Sequence, residues 1–384
     1  MTDRVVSLRK RILFTFITVL ALLLVLELFA RVIYYQRWSS EPLALVLAAK
    51  ETSKAIRYRR QVARETLRIR EDHYLVRPDW PRSENDRLND ETMAADRGIY
   101  VPWVDFAYRD IQAKYVNVAD HIRKSIPDRS DAAAKKPFRI FFLGGSTMYG
   151  FNCSDSETIP SSFVRIYRKK FPQGRPIQVV NYGTPFYYSY QELIQLTDRI
   201  YRDDIPDMVI MMDGLNDCAC TSAAWLRMPV IAPGMGDSIG RPGTQSTKGV
   251  LPDYAQLPSG ISEDSAYRAV ALHYLDNIRH TRDLTSCYHI PLYCFWQPIP
   301  YYDYPNQKND PICGRSGEPR FPAIYRMIRD KTPGIPYLYF LGDMLHDQKG
   351  LPFVDQVHYS PHFCEQLAAK MLSVITIPNP EQNP

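Results

Sequence analysis

The chain has 384 residues and a formal net charge of +5, with 45% hydrophobic, 12% aromatic and 23% charged residues. That balance belongs to a globular protein whose core needs no disulfide or metal staple, which excludes a mini-protein and a disordered chain. So slight a positive excess gives no reason to expect nucleic acid as a partner.

In chain order, a basic tail over residues 1–11 (Arg4, Arg9, Lys10, Arg11) leads into ILFTFITVLALLLVLELFARVIYY, residues 12–35, interrupted only by Glu27 and Arg31. About 20 apolar residues suffice for a helix to cross a bilayer. Glu27 and Arg31 share one helix face and can pair near an interface, where Tyr34 and Tyr35 also fit. A signal peptide would have a shorter apolar region and a small-residue cleavage site, which is not found, so an uncleaved transmembrane anchor is expected. The basic tail favours a cytoplasmic N-terminus and an exported body, facing the periplasm or the outside of a bacterial inner membrane. Arg31, Arg37 and Lys50 on the far side count against that orientation.

Residues 36–135 read as a membrane-proximal helical and irregular region. Within it, 42–72 forms one or two helices with a strongly basic second part, either facing anionic headgroups or an acidic glycan or, as charge runs usually are, a solvated face. The polar stretch IPDRSDAAAKKP closes the region as a linker. From residue 136 to 378 short apolar runs alternate with helical stretches, the pattern of a parallel sheet covered on both faces. Five buried strands are expected, FRIFFL from 138, IQVVNY from 177, DMVIMM from 207, PLYCFW from 291 and IPYLYFL from 335. Helices are expected over 156–171, opened by Ser156, and over 189–203, capped by Ser189, then over 264–286 and 361–376. Two long inserts, 218–262 and 296–320, follow the third and fourth strands, at the carboxyl ends where open α/β sheets bind ligands.

The first strand breaks into Gly144-Gly145-Ser146. No GxGxxG and no Gly-Lys-Ser/Thr ending is present, so a phosphate cradle is not indicated, and Met148 two residues after the serine rules out the GxSxG elbow. Alone, Ser146 reads as a turn residue. Three further blocks converge on the same rim: Gly183 in NYG, Asn216 in GLND, and the pair Asp355 and His358 in DQVH. Together they permit acyl transfer, with His358 as base for Ser146 and Asp355 orienting the imidazole. The amides of Ser146 and Gly183 and the side chain of Asn216 are then candidate oxyanion donors. Asp213 and Asp217 read as structural.

The ordered set LGGST, NYG, GLND and DQVH resembles the SGNH, or GDSL-like, hydrolase superfamily over residues 136–376. Gly-Gly-Ser stands where the family has Gly-Asp-Ser, a variant of its membrane-anchored members. The resemblance implies a three-layer αβα flavodoxin-like domain and a serine esterase using Ser146, Asp355 and His358. It implies no cofactor and no metal, and neither Cys/His spacing nor a CxxC pair suggests zinc. The expected substrate is an acylated glycan or small ester, with O-acetyl groups on a cell-envelope polysaccharide foremost. Transfer of the acyl group to a sugar hydroxyl, and a non-catalytic glycan-binding scaffold in an envelope assembly system, are the alternatives. Of the seven cysteines, Cys153 is expected to pair with Cys218 or Cys220 if the body is exported.

Overall fold

The computed structural model describes residues 8–38, 77–95, 99–101, 104–127, 137–219, 262–314 and 319–378. The chain divides into two units, Met1–Asp72 and His73–Pro384. In the first, helix α1 (Leu8–Trp38) carries exposed apolar side chains from Phe14 to Phe29. Among the described residues no helix is long and apolar enough to cross a membrane, and side chains of α1 are described only over 14–29. The basic segment 42–72 lies outside the described residues.

The second unit opens with α2 (Arg82–Ala95), the antiparallel pair β1 (Ile99–Val101) and β2 (Asp105–Ala107), and three short strands, β3 (Ile111–Gln112), β4 (Asn117–Ala119) and β5 (Ile122–Arg123). The alternating core follows as β6 (Phe138–Gly144), α3 (Ser146–Tyr149), α4 (Ile159–Lys170), β7 (Ile177–Asn181), α5 (Ser189–Tyr201), β8 (Met208–Asp213) and α6 (Leu215–Ala219). It closes with α7 (Glu263–Cys287), β9 (Leu292–Trp296), α8 (Arg320–Lys331), β10 (Leu338–Phe340) and α9 (Pro361–Val374).

All five expected strands form, and each is parallel to its neighbours in the order β10-β9-β8-β6-β7. Numbered by their own succession this is 2-1-3-4-5, the flavodoxin-like winding. Along β6 the pleat sends Phe138, Ile140 and Phe142 to one face, against Phe163 and Val164 of α4 and Phe363, Leu367 and Met371 of α9. Phe141 and Leu143 point the other way, into Leu196 of α5, Val270 and Tyr274 of α7 and Ile324 and Ile328 of α8. Helix α8 begins where the reading of 296–320 as an insert ends, and sequence periodicity did not reveal it.

Strands β3–β5 are the larger surprise. They extend the sheet antiparallel beyond β7, through pairing of Arg123 with Asn181, to eight strands. Their two- and three-residue lengths are too short to leave a period in the sequence. What ties them down is Arg123, fully buried, with Nε 3.0 Å from Asp155 Oδ1, an Nη donating to the Cys153 carbonyl at 2.9 Å, and its guanidinium 4.8 Å from the Tyr149 ring centroid. Asp155 in turn accepts from the Asn117 backbone and side chain at 3.0 and 2.7 Å.

The cysteine expectation is corrected. Cys153 and Cys218 are packed into the cores on opposite faces of the sheet, where no disulfide between them can reach, and Cys153 carries a thiol. The Cys153 thiol donates instead to the Tyr359 carbonyl at 3.5 Å. Cys220 lies outside the described residues.

Removing Asp155 would leave the Arg123 guanidinium buried without its countercharge. Asp155→Ala is therefore expected to cost about 3–5 kcal/mol, read as a lowered denaturation midpoint, whereas a loss under about 1 kcal/mol would show that Arg123 finds water.

Candidate active site

Winding order reverses at β6, which has parallel partners on both edges, so the crevice between its carboxyl end and that of β8 is the switch point where open α/β sheets place ligands. Ser146 begins α3 directly beyond β6, and Asn216 lies in the first turn of α6 beyond β8. A side chain at Gly144 would put its Cβ 2.6 Å from Met148 Cβ and 2.8 Å from the Met212 carbonyl oxygen, so only glycine admits this turn. A Cβ on Gly145 would lie 2.6 Å from Asn216 Nδ2 and 3.0 Å from the Tyr187 carbonyl oxygen. Gly144 thus lets α3 and β8 close on the turn, and Gly145 brings Asn216 and the β7–α5 turn against the serine. Ser146 is half-buried among fully buried neighbours, and its amide, in the first turn, has no intrahelical acceptor.

On the other side, the Ser146 carbonyl accepts from the Gly150 and Phe151 amides, each at 3.0 Å. The Phe151 ring stacks on the His358 imidazole with centroids 4.5 Å apart. Next to it Asn152, buried with φ at 60°, donates from Nδ2 to Asp355 Oδ2 at 2.7 Å. His358 Nδ1 lies 2.9 and 2.8 Å from the two Asp355 oxygens, and the backbone amides of Val357 and His358 donate to Asp355 Oδ1 at 3.0 and 2.9 Å. Burial alone would push the Asp355 carboxyl up, but the His358 charge and these hydrogen bonds overcome it and hold it down at about 2. A carboxylate only accepts, so Nδ1 carries the proton and the lone pair of the neutral ring falls on Nε2. Ser146, Asn216, Asp355 and His358 therefore stand along one rim. Sequence reading passed over Phe151 and Asn152, whose only signal was an asparagine, a residue that tolerates positive φ, in a turn after the serine.

Gly183 is placed differently from the expectation. Its amide donates to Asn181 Oδ1 at 2.9 Å, and a Cβ there would lie 2.4 Å from the Tyr149 nitrogen. It is a packing glycine under α3, with its N–H spent on its own strand end. Three residues on, Tyr187 N–H donates to the Thr184 carbonyl at 3.0 Å, with Pro185 second and Phe186 third, at φ 67°, in the turn so closed. Proline second and positive φ third are the marks of a type II turn, whose third amide makes no bond inside the turn. The Tyr187 carbonyl accepts from Asn216 Nδ2 at 2.6 Å, leaving the second amide proton of Asn216 for another acceptor. Beneath the serine, Thr147 Oγ1 donates to Gln297 Oε1 at 3.1 Å, joining α3 to the end of β9.

No family model matches the chain, and no curated protein matches it. Among solved structures it is similar to a member of the lipolytic protein G-D-S-L family from Veillonella parvula, at 12% identity and TM-score 0.36, over 62% of this chain and 99% of that one. An acetyl xylan esterase is similar at 13% identity and TM-score 0.37, over 62% of this chain and all of that one (100%). A psychrotrophic esterase from Pseudoalteromonas is similar at 13% identity and TM-score 0.33, over 62% and 96%. These likenesses are too distant to assign an activity.

Two outcomes are expected from this geometry. Asp355 is held below its ordinary 3.8, so its stabilisation is complete above that value and is lost as pH falls toward about 2, amounting to about 2 kcal/mol. Acid unfolding of Asp355→Asn should lack that slope, and an unchanged acid profile would contradict the assigned ionisation. At the type II turn, Phe186→Gly should fold as stably as the parent, while β-branched Phe186→Val should lose about 1–2 kcal/mol; equal thermal midpoints would refute the strained turn.

Proposed function

We propose that the chain is a serine esterase of the SGNH type, anchored to a membrane by residues 12–35, that removes short acyl groups, acetyl foremost, from a cell-envelope polysaccharide. The observation that carries the reading is the His358–Asp355 pair, ionised and enclosed by donors, on the same rim as Ser146 and Asn216.

In this reaction Ser146 Oγ attacks the ester carbonyl as His358 Nε2 takes its proton, and Asp355 stays ionised to hold the imidazolium. The carbonyl oxygen becomes an oxyanion facing the Ser146 amide and the spare proton of Asn216. The amide of Phe186, made available by the type II turn, is the third donor in this account, taking the place first expected of Gly183. His358 then protonates the leaving sugar hydroxyl, and water activated by the same base releases the acyl group and restores Ser146. Support for a short acyl group comes from the Phe151 ring stacked on His358. Support for an anchored, exported placement comes from the apolar run and the basic tail before it.

Turnover of an activated acetyl ester by the full chain is the test. Ser146→Ala should abolish it, and Asn216→Ala should lower kcat by about 100- to 1,000-fold with KM little changed. Activity surviving in Ser146→Ala would refute the assignment.

A further inference from the structure

Behind the rim lie three carboxyl side chains that the proposed reaction does not use. Glu192 of α5, Asp213 at the end of β8 and Asp217 of α6 are 0%, 3% and 4% exposed. Glu192 and Asp213 are hydrogen-bond partners of each other, and none of the three is paired with a Lys, Arg or His among the described residues. As carboxylates, both oxygens of Glu192, both of Asp213 and Oδ2 of Asp217 would face no donor. Two carboxyls can bond each other only if one keeps its proton. Two further buried groups without a partner, Tyr274 OH of α7 and Trp296 Nε1 of β9, belong to the same neighbourhood: the Tyr274 ring packs on Trp296 at 4.5 Å, and Trp296 pairs with Asp213 across the sheet. Among the described residues no group of three or more His, Cys, Asp or Glu has the geometry to hold a metal ion.

The cluster bridges the two loops that fix Asn216. Asp217 is its neighbour in sequence, and Asp217 Oδ1 accepts from Ser189 Oγ at 2.6 Å. Ser189 opens α5 two residues after Tyr187, whose carbonyl holds the Asn216 amide, and its hydroxyl also accepts from Asn277 Nδ2 of α7 at 2.9 Å. We propose that Glu192, Asp213 and Asp217 form a buried proton-holding clamp that draws α5 against the β8–α6 junction and so positions Asn216. The role given to Asn216 rests on the esterase reading; the shared proton does not. Losing the proton would set like charges of α5 and β8–α6 against each other in a dry interior and push the two loops apart.

The other groups facing the cluster do not supply a countercharge. They are the Tyr274 phenol and the Cys294 thiol of β9, pushed up by burial first and then by the neighbouring acids, and the Tyr325 phenol of α8, pushed up by burial first and then by Cys218. His273, beside Tyr274 on α7, stacks instead on Tyr190 and lies tilted against Tyr188. Burial and mutual repulsion raise Glu192 and Asp213 well above the ordinary carboxyl range, and burial foremost brings Asp217 to about 6, so the group titrates as a unit and gives up its last proton well above that range. Because these values lie above those of the unfolded chain, the cluster's contribution is full in acid and is lost as pH rises.

The test uses the full chain in detergent, with side-chain labelled asparagine. An infrared band of a protonated carboxyl should persist at neutral pH and vanish in Glu192→Gln. The Asn216 side-chain amide resonance, assigned by its absence in Asn216→Ala, should shift with pH at the midpoint of that band in the parent and stay fixed in Glu192→Gln. On the activated ester, kcat of the parent should fall by about 10- to 100-fold on the alkaline side with the same midpoint, a fall that Glu192→Gln removes and Glu192→Ala does not. Absence of the band, or an Asn216 resonance indifferent to the cluster's titration, would overturn the clamp. Absence of esterase activity with both spectroscopic results intact would overturn the esterase reading and leave the clamp standing.

Discussion

Everything at the rim depends on β6 being paired with parallel neighbours on both edges. A strand so placed has no free edge and no polar face, so beyond Arg139 near its start its side chains are apolar, and the chain can turn functional only where it leaves the sheet. It leaves through Gly144 and Gly145, and the lack of a side chain there lets Asn216 and the Tyr187 carbonyl approach within contact of the backbone. The serine's position is thus a consequence of close packing between two loops, and its chemistry follows from what those loops carry.

The added strands β3–β5 and the segment before them serve the same rim. Phe106, Tyr108, Val116 and Val118 pack with Tyr149, Phe151, Tyr187 and Val354 into one apolar cluster, so the wall beside Ser146 and His358 is built from both halves of the unit. Arg123 fastens this wall by reaching Asp155, Cys153 and Tyr149 in the loop that follows the serine. A buried guanidinium is a costly fastener, and the Asp155 countercharge, the Cys153 carbonyl and the Tyr149 ring offset that cost. The site is therefore shaped by residues far outside the four blocks that identify it.

That division matches what could be read from the sequence. The five parallel strands were legible because buried strands are continuous apolar runs, and Ser146, Asn216, Asp355 and His358 stood out as candidates because their order resembles a known pattern. Strands of two residues left no periodicity, and α8 was hidden behind the Pro- and Tyr-rich stretch before it. Gly183 was chosen because it ends the second strand in NYG and matches the glycine of the pattern it resembles. The positive φ is instead at Phe186, a residue no propensity argument would select. Ser189, expected as a helix cap, gives its hydroxyl to Asp217 instead, a bond between segments 28 residues apart that local rules do not foresee. Asp213 and Asp217 were read as structural, and only the fold brings Glu192 to them.

The central claim is that Ser146 is a nucleophile activated by His358. It is tested most directly by treating the full chain with a fluorophosphonate and mapping the adduct by peptide mass. The account predicts one phosphonylated residue, Ser146, with labelling lost in His358→Ala. A label on another serine, or none on a folded chain, would contradict it.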